Sequence, residues 1–304
     1  MKPRATSDRH VDRIAAALLY EGYMLYPYRP SAVKNRQRFN FGIVEPAGGD
    51  ACYTQTECLL HGATATGITI TARFLHLIDR QTGGESWQEA VERSVTAECP
   101  DLTGLLAEPR VMRFSWPASV RADDGVTRHQ RAIAGVLEIS ATSCAADATR
   151  LRVRVANHTE MPPERGDRGE RLLHSLVSAH TILTVAGGEF ASLLDPPDAL
   201  RLEAAACQNV RTWPVMAGDP ERRDTMLSSP IIIYDYPALA PESPGDLFDA
   251  TEIDEILSLR ILTMTEDEQR EMSRADEHAR LLLERTRSLG ADDFMKMHGA
   301  MRPT

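Results

Sequence analysis

The chain has 304 residues, of which 42 % are hydrophobic and 26 % are charged, and its formal net charge is −10. A chain of this length forms one large domain or two smaller ones, each with a core that needs no disulfides. Its apolar runs are far shorter than the roughly 20 residues that span a bilayer, so we expect no membrane insertion.

The acidic balance also disfavours general nucleic-acid binding, because most of the surface would repel the ligand. The five cysteines are an odd, scattered set, which indicates reduced thiols rather than a disulfide framework. Acids at Asp8, Asp12 and Glu21 interrupt the N-terminal stretch that most resembles a signal peptide, and we expect none. These features together predict a cytoplasmic protein.

The first predicted element is an amphipathic helix over residues 8–21. Apolar side chains recur there at helical spacing, at Val11, Ile14, Ala15, Leu18 and Leu19. Gly22 ends the pattern, and Pro27 and Pro30 impose an extended path on the residues that follow.

The segment YPYRPSAVKNRQRFNFG, residues 26–42, combines cations with aromatic rings and contains no acid. Phosphate and nucleic-acid sites use this combination, although the charge of the whole chain disfavours nucleic acid here. Two interpretations remain: a structural loop whose cations pair with carboxylates elsewhere, or a surface for a protein partner or an anionic small molecule. The residues assigned to this segment's site are Tyr26, Tyr28, Arg29, Lys34, Asn35, Arg36 and Arg38.

Residues from about 52 to 236 have mostly strand patterns. Partial alternation over 66–79 and clearer alternation over 131–143 and 149–159 predict strands, the last two as an antiparallel hairpin. In the third of these, Leu151, Val153 and Val155 occupy one face, and Arg150, Arg152 and Arg154 occupy the other.

Two glycine pairs and a run of isoleucines mark further elements in the same region. Gly83–Gly84 and Gly187–Gly188 are interpreted as hairpin turns, the second within 180–194. A short helix is predicted at 170–178, and the last strand at 228–236.

A proline-rich loop at 237–250 separates this region from a helical C-terminal segment. Two capping boxes, Thr251 with Asp254 and Thr265 with Glu268, predict helix starts there. The predicted division is therefore residues 1–250 and residues 251–304, and the predicted fold class is α+β: an N-terminal helix, a mostly antiparallel β-sandwich-like body and a helical C-terminal segment.

Acidic residues near the start of the C-terminal segment complement the basic N-terminal segment. Residues 241–304 carry 15 acids and 8 bases, and residues 1–42 carry 8 bases and 3 acids. The two could form a mutual clasp, or both could recognise a partner. The acids assigned to this role are Glu242, Asp246 and Asp249.

Possible metal ligands occur in two sets. Cys52, Cys58 and His61 form a C-x5-C-x2-H pattern, which is looser than usual zinc spacing and has no fourth ligand. A cupin-like metal site could use the second set, which is His158, Glu160, His180 and Glu189. The ordinary alternative is buried thiols and satisfied or exposed histidines.

Searches for catalytic and phosphate-binding motifs are negative. The sequence contains no G-x-S-x-G nucleophile elbow, no G-x-x-x-x-G-K-[ST] loop and no G-x-G-x-x-G fingerprint. We therefore expect no cofactor, and a catalytic role is the less favoured interpretation.

Two stretches, LLYEGYMLYPYRPSAVKNRQRFNFG at 18–42 and LSSPIIIYDYPALAPESPGDLFDATEIDEILSLRIL at 227–262, resemble a bacterial family associated with gene clusters for nickel-iron hydrogenases and their accessory proteins. Similarity around TWPV at 212–215 is weaker. The resemblance implies a context and transfers no site residue, because the family has no assigned chemistry.

The leading prediction is a non-catalytic accessory or assembly factor that binds a protein, with hydrogenase subunits or maturation proteins as the implied partners. A homo-oligomer is compatible with the sequence. The alternative is a metal-dependent enzyme or metal-binding protein that uses one of the two ligand sets.

Overall fold

A computed structural model describes residues 4–20, 41–61, 67–83, 85–144, 147–161, 166–238, 258–275 and 277–290. The chain divides into two compact units, the first made of Met1–Ala15 and Phe41–Pro237 and the second of Ala16–Asn40 and Ala238–Thr304. Residues 239–257 lie outside the described residues, so the predicted division between 250 and 251 stays a prediction.

The chain has an α+β fold with a β-rich body, as predicted. Among the described residues, its helices include α1 Arg4–Leu19, α2 Leu102–Ala107, α3 Arg168–Leu173, α4 Arg201–Ala205, α5 Glu266–Ala275 and α6 Glu277–Ser288, and residues 258–262 are also helical. Its strands are β1 Tyr53–His61, β2 Gly67–Thr82, β3 Glu85–Cys99, β4 Arg110–Trp116, β5 Ser119–Asp123, β6 Val126–Gln130, β7 Ile133–Ser143, β8 Ala148–Asn157, β9 Val177–Ala186, β10 Glu189–Ala191, β11 Trp213–Ala217 and β12 Thr225–Ser229. In the described ranges, no helix is both long enough and apolar enough to cross a bilayer.

The strands form two antiparallel sheets. The smaller has five strands in the order β10-β1-β8-β7-β4. The larger has seven, in the order β11-β12-β9-β2-β6-β5, with β3 also paired to β2. β2 therefore occupies a central position, since it pairs with β3 along one edge and with β9 and then β6 along the other.

Apolar side chains from both sheets share one core, which is the sandwich-like packing predicted from the sequence. Phe74 of β2 is fully buried and contacts the rings of Phe114 and Trp116 in β4, with centroid distances of 5.8 and 5.7 Å. Leu137 and Leu151, from β7 and β8, fill the same core. Tilted and edge-on ring pairs of this kind add to the stability that burial provides.

Helix α1 contributes its first part to the same compact unit. Its backbone carbonyl at Asp12 accepts a hydrogen bond from Arg73 of β2 at 3.4 Å, and the Asp12 carboxylate lies 3.7 Å from the same guanidinium. Val11 and Ile14 are buried, as the helical spacing predicts. This part of α1 therefore lies against the outer face of the larger sheet.

The predicted β7–β8 hairpin is confirmed. The two strands pair antiparallel from Gly135 with Asn157 to Ser143 with Thr149. Leu151, Val153 and Val155 are buried in the core, and the arginines between them point to the opposite face. The Gly83–Gly84 hairpin is also confirmed, because Thr82 pairs with Glu85 across the turn.

Three local predictions need correction. Gly187–Gly188 joins β9 of the larger sheet to β10 of the smaller one, so it is not a hairpin turn. The last predicted strand ends at Ser229, because Pro230 has no N–H to continue a ladder. The helix predicted at 170–178 ends at Leu173, since strand β9 begins at Val177.

The described part of the second unit is helical, as predicted. The Thr265–Glu268 capping box forms: Thr265 N–H donates to the Glu268 carboxylate at 2.9 Å, and Glu268 N–H donates to the Thr265 hydroxyl at 3.3 Å. Helices α5 and α6 follow, with Met272 and Leu283 buried. The Thr251–Asp254 box lies outside the described residues.

We expect Gly135→Ala to destabilise the body by about 1–3 kcal/mol, because the added methyl group overpacks the core. An added Cβ would lie 2.4 Å from the Phe114 ring and 2.5 Å from the carbonyl oxygen of Ala156. Urea denaturation measures the change in the free energy of unfolding. In the control Gly67→Ala, the nearest atom outside the chain neighbours is the Ala186 Cβ at 3.9 Å, so the control should change stability little. Equal effects of the two changes would contradict the packing argument.

Candidate functional site

The residues predicted to form the clasp or partner surface cannot be assigned a geometry. All ten lie outside the described residues: Tyr26, Tyr28, Arg29, Lys34, Asn35, Arg36, Arg38, Glu242, Asp246 and Asp249. Their proposed role stays a prediction.

The Cys/His set does not converge on one point. Cys58 is fully buried, and burial raises the pKa of its thiol well above the usual range. Cys52 is half-buried just before β1, and His61 is exposed at the other end of that strand. Cys58 is therefore a core thiol, which is the ordinary alternative given for it.

The His/Glu set is also dispersed. His158 and Glu160 are exposed just after β8, Glu189 is exposed at the start of β10, and His180 is buried in β9. Among the residues that the structure describes, no three His, Cys, Asp or Glu side chains form a group that could hold a metal ion. The metal-site alternative gains no support from this geometry and stays a prediction.

Two buried histidines in the larger sheet have depressed pKa values. Burial lowers the pKa of His76 to about 4, with a further contribution from Arg93. Burial also lowers the pKa of His180 to about 4, although its Nδ1 lies 3.0 Å from the Ser178 carbonyl oxygen. Both rings are therefore neutral near pH 7, and folding opposes their protonation.

Acid should destabilise the fold through these rings. An unfolded histidine has a pKa near 6.5, so between pH 6.5 and about 4 the unfolded chain binds more protons than the folded chain, and stability falls as the pH falls. From about pH 7.5 to about pH 5 we expect a loss of about 2 kcal/mol per histidine. In urea denaturation, His76→Gln and His180→Gln should each lose less free energy of unfolding over this pH range than the unaltered protein does. The exposed His158→Gln should retain the full pH dependence, and an unchanged loss in all three variants would contradict the assignment.

His61 from the first predicted ligand set and Glu189 from the second lie side by side at one open pocket. His61 of β1 pairs with Glu189 of β10 in the antiparallel register. Together with Arg222, Asp224 and the turn at Gly187–Gly188, they line a pocket of about 520 Å³. The pocket lies where the chain passes from the larger sheet to the smaller one, between β9 and β10. It is therefore formed by the tertiary structure and not by a local sequence pattern.

The charged groups of this pocket divide into a fixed pair and an exposed pair. Arg222 donates a hydrogen bond to the Asp224 carboxylate, which also accepts one from the Thr225 hydroxyl at 3.1 Å. Asp224 is buried, whereas His61 and Glu189 are exposed. The first pair holds the pocket wall, and the second is available to solvent.

A second feature occupies the outer face of the smaller sheet, opposite the core. Arg113 of β4 and Arg152 of β8 are exposed, and Arg154 of β8 is half-buried. The Arg154 guanidinium stacks on the ring of Tyr53, 3.9 Å from its centroid, and Arg152 donates to the Ser140 hydroxyl at 3.2 Å. We call Arg113, Arg152, Arg154 and Tyr53 the arginine face.

The arginine face differs from the ion-paired arginines of the body. Within the described ranges, no carboxylate forms an ion pair with its three guanidinium groups, whereas Arg73, Arg131 and Arg150 pair with carboxylates at 2.6–2.9 Å. Two acids lie beside the face. In the strand register Glu138 lies opposite Arg154 and Glu57 lies opposite Arg152, and Glu57 accepts a hydrogen bond from the Gln208 N–H.

Sequence alternation found half of this face and missed the rest. The spacing of Arg152 and Arg154 in β8 predicted a solvent-exposed face. Arg113 and Tyr53 lie on other strands, and only the register of the sheet shows that these strands are neighbours of β7 and β8.

Comparison with models of known protein families gives no match, and comparison with curated proteins gives no significant match.

We expect Asp224→Asn to lower the free energy of unfolding by about 1 kcal/mol, because Arg222 loses its charged acceptor in a partly screened pair. Thermal and urea denaturation measure the loss. The control Glu189→Gln removes an exposed carboxylate from the same pocket and should leave stability unchanged. A larger loss in the control would contradict the division into a fixed and an exposed pair.

Proposed function

We propose that the protein is a non-catalytic, cytoplasmic accessory or assembly factor that binds a protein partner, without a cofactor. The observation that carries this proposal is the arginine face, a set of positioned cations that form no ion pair with the described carboxylates of a protein whose formal net charge is −10. Exposed arginine beside an aromatic ring is the composition enriched at protein interfaces.

The positions of these side chains are already restricted before any partner binds. Arg154 stacks on Tyr53, and Arg152 bonds to Ser140. A side chain that is ordered in the free protein loses less entropy on association, so its contacts contribute more to affinity. The β8 backbone below them lies in the centre of a five-stranded sheet, with β1 and β7 on either side.

The resemblance supplies the context for the proposed partner. It supports a nickel-iron hydrogenase, or a similar multi-subunit redox enzyme, whose subunits or maturation proteins would contact this chain. The basic segment at 26–42 and the acids near 242–249 keep their proposed role as recognition surfaces for a partner or as an internal clasp.

The test is co-elution of the purified protein with the products of its neighbouring genes at micromolar concentration. We expect a complex in size-exclusion chromatography, and we expect Arg152→Glu to weaken it. The matched control is Arg9→Glu, which reverses another exposed arginine, on α1 beside the other sheet. A protein that co-elutes with none of the neighbouring gene products would contradict the proposal.

A further inference from the structure

We propose that the arginine face binds an extended acidic segment of a protein, with carboxylates on alternate residues. This inference rests on the proposed function, because it names the chemistry of the partner that a protein-binding factor would take.

The spacing of the cations matches an extended chain. Arg152 and Arg154 are two residues apart on one face of β8, so their Cα atoms are separated by roughly 7 Å. Arg113 lies on β4, two strands from β8, and the register places it in line with Val136 and Ala156. It is therefore offset from Arg154 by roughly 10 Å across the strands and by roughly 7 Å along them. An extended peptide presents its alternate side chains at the same interval of roughly 7 Å. Two carboxylates at positions i and i+2 therefore meet Arg152 and Arg154 together.

The charge of the face is available to a ligand. The arginines that pair within the body hold their carboxylates close, as Arg128 does with Glu89 at 2.9 Å and Arg171 with Glu45 at 3.1 Å. In the part of the chain that the structure describes, the three arginines of the face lack such a partner. This chain has only three lysines, so the choice of arginine over lysine at these positions is not informative. The informative observation is that the three cations lie on one face of one sheet.

The guanidinium groups are also suited to carboxylates. Each presents several N–H donors in a planar fork, which matches the two oxygens of a carboxylate. The bond from Arg152 to Ser140 is made by Nε, and the terminal nitrogens have no protein hydrogen-bond partner within the described ranges. The side chain therefore keeps donors free while its stem is held in place.

The whole-chain charge favours a protein over a nucleic acid as the occupant. A nucleic acid carries a charge at every nucleotide and would be repelled by the acidic remainder of the molecule beyond the patch. A short acidic protein segment concentrates its carboxylates on the patch and can present neutral residues on either side. Tighter binding of a nucleic acid is therefore one of the outcomes that would overturn the inference.

The experiment measures binding of a fluorescein-labelled peptide with alternating Glu and Thr to the full chain by fluorescence anisotropy. The matched probe has Gln in place of every Glu. We expect the Glu peptide to bind at least about tenfold more tightly at low salt, and the difference to shrink as salt screens the pairs.

Variants locate the site of binding. Arg152→Glu and Arg113→Glu should each weaken the Glu peptide about fivefold or more, since each reversal turns an attraction into a repulsion. Arg9→Glu should leave its affinity unchanged. Circular dichroism and thermal unfolding of each variant show whether it is folded, and Arg152→Gln gives a milder change if Arg152→Glu does not fold.

Equal affinity for the Glu and Gln peptides would overturn the inference. Equal weakening by Arg9→Glu, or tighter binding of a single-stranded oligonucleotide of the same charge, would also overturn it. The outcome differs from failure of the proposed function: peptide binding as expected without co-elution contradicts the proposed function alone. Co-elution that Arg152→Glu weakens, together with no preference for the Glu peptide, contradicts this inference alone.

Discussion

The central position of β2 is the constraint on which the body depends. This strand pairs with β3 over its whole length and with both β9 and β6 on its other edge, so three parts of the chain are aligned by one strand. Its inward side chains, including Ile70 and Phe74, fill the space between the two sheets. Because successive residues of a strand face opposite sides, fixing its inner face also fixes its outer one, where Arg73 meets α1.

Charge is distributed over this framework in two ways. Some arginines are neutralised within the body, as Arg131 is by two oxygens of Glu170 on α3. Such pairs tie surface elements to the sheets and contribute modestly to stability because they are partly exposed. On the outer face of the smaller sheet, the cations instead bond to a hydroxyl or stack on a ring, which orders them and leaves their charge in place. That difference is the physical basis of the proposed protein-binding role.

The candidate sites were only partly predictable from the sequence. His61 and Glu189 were assigned to two different metal sites because they are distant in the chain, yet the β1–β10 register places them side by side at one pocket. Cys58 and His180 have the chemistry of ligands, but the core and the larger sheet bury them. In each case the environment of the side chain depends on which strand pairs with its own strand. Residue type and sequence spacing do not predict that pairing.

Structure that depends on neighbouring residues was predictable from local patterns in the chain. The alternation of Leu151, Val153 and Val155 predicted the face of β8, and Thr265 with Glu268 predicted a helix start, because both patterns act within a few residues. Only the tertiary structure decided that Gly187–Gly188 passes from one sheet to the other and that Arg113 and Tyr53 join the arginine face. Those outcomes depend on strand pairing between distant segments, whose free energy comes from the whole core and not from any local pattern.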